Sequence, residues 1–386
     1  MSQYTGELNH NVSMRARQGI KENKLHVKVN HNPSSASPGD ELVIKMPQLT
    51  ANSVLFPNSL NLTYNYKLNS GEDETSIPDH LTSAIVERLK MTINGRVIHD
   101  INNYNHLAIY REFWYSKQKY DKELTHRGIQ STATKKKRHV AGAADDVLGL
   151  IHGERYSFWL GSFLTEAAFT PQAIQNTVEF TLKLAAGKYT LKNVCLEYDY
   201  VDEPSIARSI KQKYENHRHI INDYKSHTTK DVQEEESDFE ININAAYESL
   251  RTILVFFKAD NTVDLNYGYP LLKDVKIDID GATNQLFTSE YLPMYSYEDA
   301  KRYFGTKANI PTYIEQESFY TNKYCLVIDL RTINDEGSSG IGRQIKDYIK
   351  LKISKKQTSA SSKAFVFLVS DKAVEFSHNQ INNIEQ

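Results

Sequence analysis

Two histidines, His217 and His219, flank Arg218 in the chain. In a strand, side chains two apart face the same way, so this pair could ligate one metal ion. The surrounding KYENHRHII reads instead as a helix or linker, where that spacing separates the rings, and no carboxylate partner follows at close range. The run Gly337-Ser338-Ser339-Gly340-Ile341-Gly342 follows a strand-like stretch, as phosphate-cradling loops do. Its glycine order reverses the dinucleotide fingerprint, and no lysine closes it as in a phosphate loop, so it reads as a connection between strands. Lys135, Lys136, Lys137 and Arg138 form a basic cluster that could bind phosphates or be read by a nuclear import receptor; the other reading is a solvated charged loop. The chain has no G-x-S-x-G elbow, no G-x-x-x-x-G-K-[S/T], no H-E-x-x-H and no paired C-x-x-C. No catalytic, cofactor-binding or metal-binding residue is therefore assigned, and the expectation is of a protein that is not an enzyme and carries no cofactor.

Composition points the same way. Hydrophobic residues at 40% and charged residues at 24% are ordinary globular usage, and 386 residues suit two domains. The 46 basic and 48 acidic residues leave a net charge of -2, without the positive excess of a surface built to grip nucleic acid, so any genome contact is local. Tyr, at 24 residues, far outnumbers Trp at 2, which favours sheets and protein contact surfaces. The two cysteines, Cys195 and Cys325, each lie in an alternating run and read as buried thiols, with a disulfide between domains as the alternative. The N-terminal sequence lacks the apolar core of a signal peptide, and no apolar run reaches membrane-spanning length, so the expectation is a soluble protein made in the cytosol. The sequons at Asn11 and Asn61 are then chance matches.

The elements that would position these residues are mostly strands. Alternating or apolar runs mark 24–30, 41–47, 60–68, 84–93, 96–100, 154–161, 176–185 and 188–201. Asn94-Gly95 supplies the positive φ angles of a type I′ turn and makes 84–100 one hairpin. A helix is expected over 103–117, where Leu107, Tyr110 and Trp114 recur at three- and four-residue spacing, and an unpatterned run follows at 119–152. A second series of runs occupies 239–245, 252–259, 273–280, 318–331, 347–354 and 363–370, with a short strand at 284–288 and a helix at 295–304. Between the series lies a basic, helical stretch and an acidic run. The expected organisation is an N-terminal arm (1–23), a first sandwich (24–201), a linker with a helix (202–238), a second sandwich (239–375) and a C-terminal tail (376–386). Both halves share early strands, a central helix and late strands, the gross duplication of tandem sandwiches.

In order and spacing these segments resemble the double jelly-roll, hexon-like capsid proteins of Polinton (Maverick) elements and adintoviruses. LFPNSLNLTYNYKL resembles an early strand of that family, and IVERLKMTINGRVIHDINNYNHLAIYREFWYS its unit of strand, Asn-Gly turn, strand and aromatic helix. GLIHGERYSFWLGSFL and VEFTLKLAAGKYTLKNVCLEYDYVDEPSIARSI resemble the segments that close its first jelly roll. DVKIDIDG, the helix from Tyr297 to Phe304, KYCLVIDLR and DYIKLKISKK match the second in order. The likeness covers most of residues 40–375 as pattern and order, without an invariant motif. It implies an all-β fold with a few short helices, built as two tandem eight-stranded jelly-roll β-sandwiches with small surface towers. It also implies homotrimeric, pseudo-hexagonal capsomers that contact neighbouring capsomers and a penton protein in an icosahedral shell. The resulting location is the virion, after synthesis in the host cytoplasm and with nuclear import as an option for assembly.

The family has no catalytic residues to carry over. On the residues alone, Tyr110, Phe113 and Trp114 are candidates for a contact between sandwiches or between subunits, and packing inside the first sandwich is the alternative. Two other functions fit a pair of sandwiches. A carbohydrate- or receptor-binding module would use tyrosine-rich loops equally well, and a cupin-type enzyme would add a third ligand to His217 and His219.

Overall fold

The computed structural model describes residues 24–30, 33–47, 50, 52–55, 61–72, 74–78, 80–115, 150–157, 178–214, 217–244, 246–247, 249–259, 266–283, 289–290, 293–305, 312, 314–330, 348–356, 359–377 and 380–385. The chain divides into two compact units. The first comprises Met1–Ala108, Glu123–Asn222 and Lys372–Glu385; the second is mainly Ile109–Lys122 and Asp223–Asp371.

The elements of the first half are β1 (Lys24–Asn30), β2 (Ser35–Ala36), β3 (Glu41–Lys45), β4 (Ser53–Leu55), β5 (Asn61–Leu68), α1 (Leu81–Ala84), β6 (Val86–Ile93), β7 (Arg96–Ile101), α2 (Tyr104–Phe113), β8 (Leu150–Ser157), β9 (Val178–Leu184), β10 (Tyr189–Asp202) and α3 (Pro204–Tyr214). One sheet runs β1-β10-β5-β8, with the short β2 and β4 also on β10; the other runs β3-β9-β6-β7. In the second sheet the alternation is clean. Val178, Phe180, Leu182 and Leu184 of β9 are buried while the residues between them are half-buried. A sheet with one face on a core and one face in water requires this pattern. Between β6 and β7, Asn94 and Gly95 both hold positive φ, 56° and 72°, while Ile93 pairs with Arg96. This is the expected two-residue type I′ turn, whose twist matches that of the strands it joins.

The second half contributes β11 (His217–Val232), β12 (Asp238–Ile243), β13 (Leu250–Ala259), β14 (Leu272–Ile279), β15 (Ala282–Thr283), β16 (Ser289–Glu290), α4 (Pro293–Phe304), α5 (Gln316–Asn322), β17 (Cys325–Asp329), β18 (Ile349–Lys355), β19 (Ser362–Ser377) and β20 (Gln380–Glu385). Its sheets run β11-β19-β13-β17, with β20 on β19, and β12-β18-β14-β15, with β16 on β14. Among the described residues each half thus has eight principal strands. Counted along the chain, one sheet takes them in the order first, eighth, third, sixth, and the other takes second, seventh, fourth, fifth. Both halves share this order, which nests two Greek keys into a jelly roll.

Several expectations need correction. Residues 217–232, expected within a linker, form the first strand of the second series, so the connecting helix ends at Tyr214. The run at 318–331 is a helix followed by a strand. Aromatic residues such as Phe319, Tyr320 and Tyr324 suit extended chain, but Glu315 and Ser318 form a reciprocal capping box that starts α5, and the strand begins at Cys325. The stretch expected as a C-terminal tail carries the end of β19 and all of β20, which pairs back onto it. β8 begins at Leu150, inside the run expected to lack periodicity. The short strand expected at 284–288 lies outside the described residues, as does most of 119–152.

Candidate functional site

A cluster of polar side chains lies on β1, β5 and β10. Register places His26 of β1 opposite Asp199 of β10, and Lys28 opposite Glu197. His26 Nδ1 is 2.8 Å from Asp199 Oδ1, and its Nε2 is 3.5 Å from Glu197 Oε2. Lys28 Nζ is 3.2 Å from Glu197 Oε1, which also accepts a hydrogen bond from Thr63 Oγ1 at 3.2 Å. The hydrogen bond to Glu197 holds the Lys28 ammonium above its ordinary pKa. Thr63 Oγ1 is 2.7 Å from the Cys195 thiol, which is fully buried. A cysteine, a histidine and two carboxylates together suggest nucleophilic chemistry, but the geometry does not support it. His26 engages the carboxylates rather than the thiol, and a buried thiol offers no approach to a substrate. What the cluster does is hold the edge strand β1, whose residues 25–30 are exposed or half-buried, to its neighbour through a Lys28–Glu197 ion pair and a His26–Asp199 hydrogen bond at directly paired positions.

Cys195 and Cys325 are both free and buried. Burial pushes the Cys325 thiol well above its usual pKa, which keeps it protonated and inert. No group of three or more His, Cys, Asp or Glu suited to a metal ion occurs among the described residues. The backbone of His217 and His219 is in β11, extended rather than helical. Lys135 to Arg138 and the glycine-rich run 337–342 lie outside the described residues.

Tyr110, Phe113 and Trp114 are placed clearly. They group with the second unit, although Tyr104–Ala108 of the same helix group with the first. Tyr110 is fully buried, with ring centroids 4.8 Å from Phe256, 5.7 Å from Tyr267 and 5.0 Å from Phe304. Its hydroxyl donates to the Lys323 carbonyl at 3.0 Å. Trp114 stacks on Phe304 at 6.3 Å and meets Phe319 edge-on at the same distance. The Phe113 carbonyl accepts a hydrogen bond from the Ile314 N–H at 3.2 Å. α2, α4 and α5 therefore lay an aromatic layer on β13. This explains the continuous apolar run LVFF in that strand. Phe256 turns to the helices while its neighbour Phe257 turns to Phe239 of the facing sheet, 6.3 Å away. A strand buried on both faces loses the alternation of a half-exposed one. In this structure the three aromatic residues serve packing inside the second unit, and each fully buried ring contributes about 1.5–3 kcal/mol.

A feature that sequence reading missed lies on β7. His99 is fully buried, neither ring nitrogen has a hydrogen-bond partner among the described residues, and burial drives its pKa down to about 3. Lys372 of β19 is also buried and donates through Nζ to the carbonyl of Ile98 at 2.8 Å. The two residues are remote in sequence, and neither sits in a motif that would have drawn attention to it.

Two sandwiches of identical strand order make the chain a double jelly roll. Comparison with solved structures agrees. The chain is similar to VP54 of PBCV-1, with 11% identity over 94% of this chain and 97% of that one at a TM-score of 0.62. It is similar to the Faustovirus major capsid protein, with 9% identity over 97% and 98% of the two chains at a TM-score of 0.58. It is also similar to the mavirus major capsid protein, with 9% identity over 93% and 90% at a TM-score of 0.53. At these identities the likeness establishes the fold. No protein-family model and no curated protein matches the chain by sequence. No helix among the described residues is long and apolar enough to cross a membrane.

Proposed function

We propose that the chain is a structural capsid subunit, not an enzyme, which forms homotrimeric, pseudo-hexagonal capsomers that tile an icosahedral shell. The observation that carries this reading is the strand order repeated in both halves of the described residues, supported by the likeness in fold to capsid proteins over 97–98% of their length. Three copies of two like sandwiches present six like units around a threefold axis, the simplest way for a non-sixfold subunit to occupy hexagonal lattice positions. The balanced outer faces suit such tiling. On the second unit's β12-β18-β14 face, Lys350 is 3.2 Å from Glu240 and Lys352 is 2.8 Å from Asp278. On the first unit's β3-β9 face, Lys45 is 3.3 Å from Glu179. Neighbouring copies with such faces do not repel one another through a large like charge.

On this reading the protein resides in the virion, contacts neighbouring capsomers and a penton protein, and has no resident cofactor. Lys135 to Arg138 are the segment we assign to a genome contact or to nuclear import. Electron microscopy of the purified protein at high concentration tests the main claim. Hexagonal particles or closed shells are expected, and dispersed single molecules under every condition would favour a carbohydrate- or receptor-binding module. Neutralising Lys135 to Arg138 should leave folding and trimer formation intact while nuclear accumulation or nucleic-acid retention falls. A folding defect in that variant would remove the assignment.

A further inference from the structure

The C-terminal stretch Lys372–Glu385 groups with the first unit, although β19 begins in the second. It comprises the last part of β19 and β20, antiparallel through Val374 with Ile384 and Ser377 with Gln380. Lys372 fastens this hairpin to β7. Its Nζ donates to the Ile98 carbonyl at 2.8 Å and lies 3.5 Å from that of Val97. The residue between those carbonyls and Asp100 is His99, fully buried and with both ring nitrogens unpartnered among the described residues. Directly opposite His99 on β6 is Met91, which is neutral, and the Lys372 ammonium, buried and held on the carbonyl of the preceding residue Ile98, is the charged group placed next to it among the described residues. The site can hold a neutral imidazole. A proton added there would place an imidazolium, without a hydrogen-bond acceptor, beside a buried ammonium in a medium of low dielectric.

We propose that this arrangement is an acid-sensitive clasp: protonation of His99 releases the C-terminal hairpin from the first jelly roll, so that the subunit loosens when the surroundings turn acidic. The sign follows from linkage. Burial depresses the His99 pKa from 6.5 to about 3 in the clasped form, whereas a released, hydrated ring returns to its ordinary range. The clasped form is therefore fully favoured above pH 6.5 and loses ground as pH falls below it. Each pH unit shifts the balance up to about tenfold, or about 30-fold by pH 5. Release needs no proteolysis and no ligand, and it reverses on neutralisation.

Hydrogen exchange read peptide by peptide from pH 7.5 to 5, and corrected for the intrinsic exchange rate at each pH, tests the proposal on the full-length protein. Residues 372–385 and β7 should lose protection steeply below pH 6.5, while β9 and β13 hold theirs, and protection should return at pH 7.5. His99→Leu, which keeps the site apolar, should remove the pH dependence. Uniform protection of the hairpin in the wild type across this range would overturn the proposal, as would the same acid response in His99→Leu. Should that variant not fold, His99→Gln, neutral at every pH, serves the same comparison. The wild-type profile alone also discriminates, because a general acid effect would reach β9 and β13 together with the hairpin.

Discussion

Individual side chains decide where this chain tolerates change. Gly95 has φ of +72°, and a Cβ added there meets nothing within 4 Å. The cost of a substitution is then backbone strain alone. Gly95→Val should lower stability by ~1–3 kcal/mol, because a β-branched residue resists the left-handed region, while Gly95→Asn should cost less. Thermal unfolding of the two variants checks this, and equal melting temperatures would mean that the turn is not held as described. The Asn94-Gly95 turn was legible in the sequence because its determinants are adjacent and purely local. The union of His99 with Lys372, and of Thr63 with Cys195 and Glu197, was not. Those pairings depend on strand register between distant segments, and nothing in the local spacing of a lone buried histidine distinguishes it from any other.

Elements were legible to the extent that one face alone was buried. β9 and β12 alternate cleanly and were read close to their true bounds. β13 was read as a strand, but its two-sided burial became intelligible only with the aromatic layer of α2, α4 and α5 in place. The same local rules misled at 318–322, where aromatic residues favour a strand while the Glu315–Ser318 capping box starts a helix. Ser318→Ala, which removes one arm of that box, should destabilise the second unit by about 0.5–2 kcal/mol. Phe256→Ala should cost much more, ~3–5 kcal/mol, because its ring meets Tyr110, Tyr267 and Phe367 within 5.5 Å between centroids. Val43→Ala on β3, with 45% of Val43 exposed, is the control and should stay within about 0.5 kcal/mol of the wild type. Denaturant unfolding of the three variants gives the ranking directly. A loss for Phe256→Ala no larger than for Val43→Ala would contradict the layered packing.

At the scale of the whole molecule the duplication of strand order carries the argument. The sequence showed it as two similar series of runs, without residue-level repetition, because a jelly roll specifies which faces are apolar and where the chain turns rather than particular residues. The chain's second series begins earlier than its composition suggested, at His217, since a strand rich in His, Lys and Asp does not announce itself by apolar periodicity. The proposed function is read from this architecture. On the proposed reading the chain works by burying its sides against copies of itself, and an obligate contact of that sort buries more than ~2,000 Å² in total. The mass of the purified protein in solution, measured across a wide concentration range at neutral pH, tests this most directly. A stable species of three times 44.2 kDa, persisting on dilution, is predicted, and a monomer of 44.2 kDa that survives at high concentration would contradict the account.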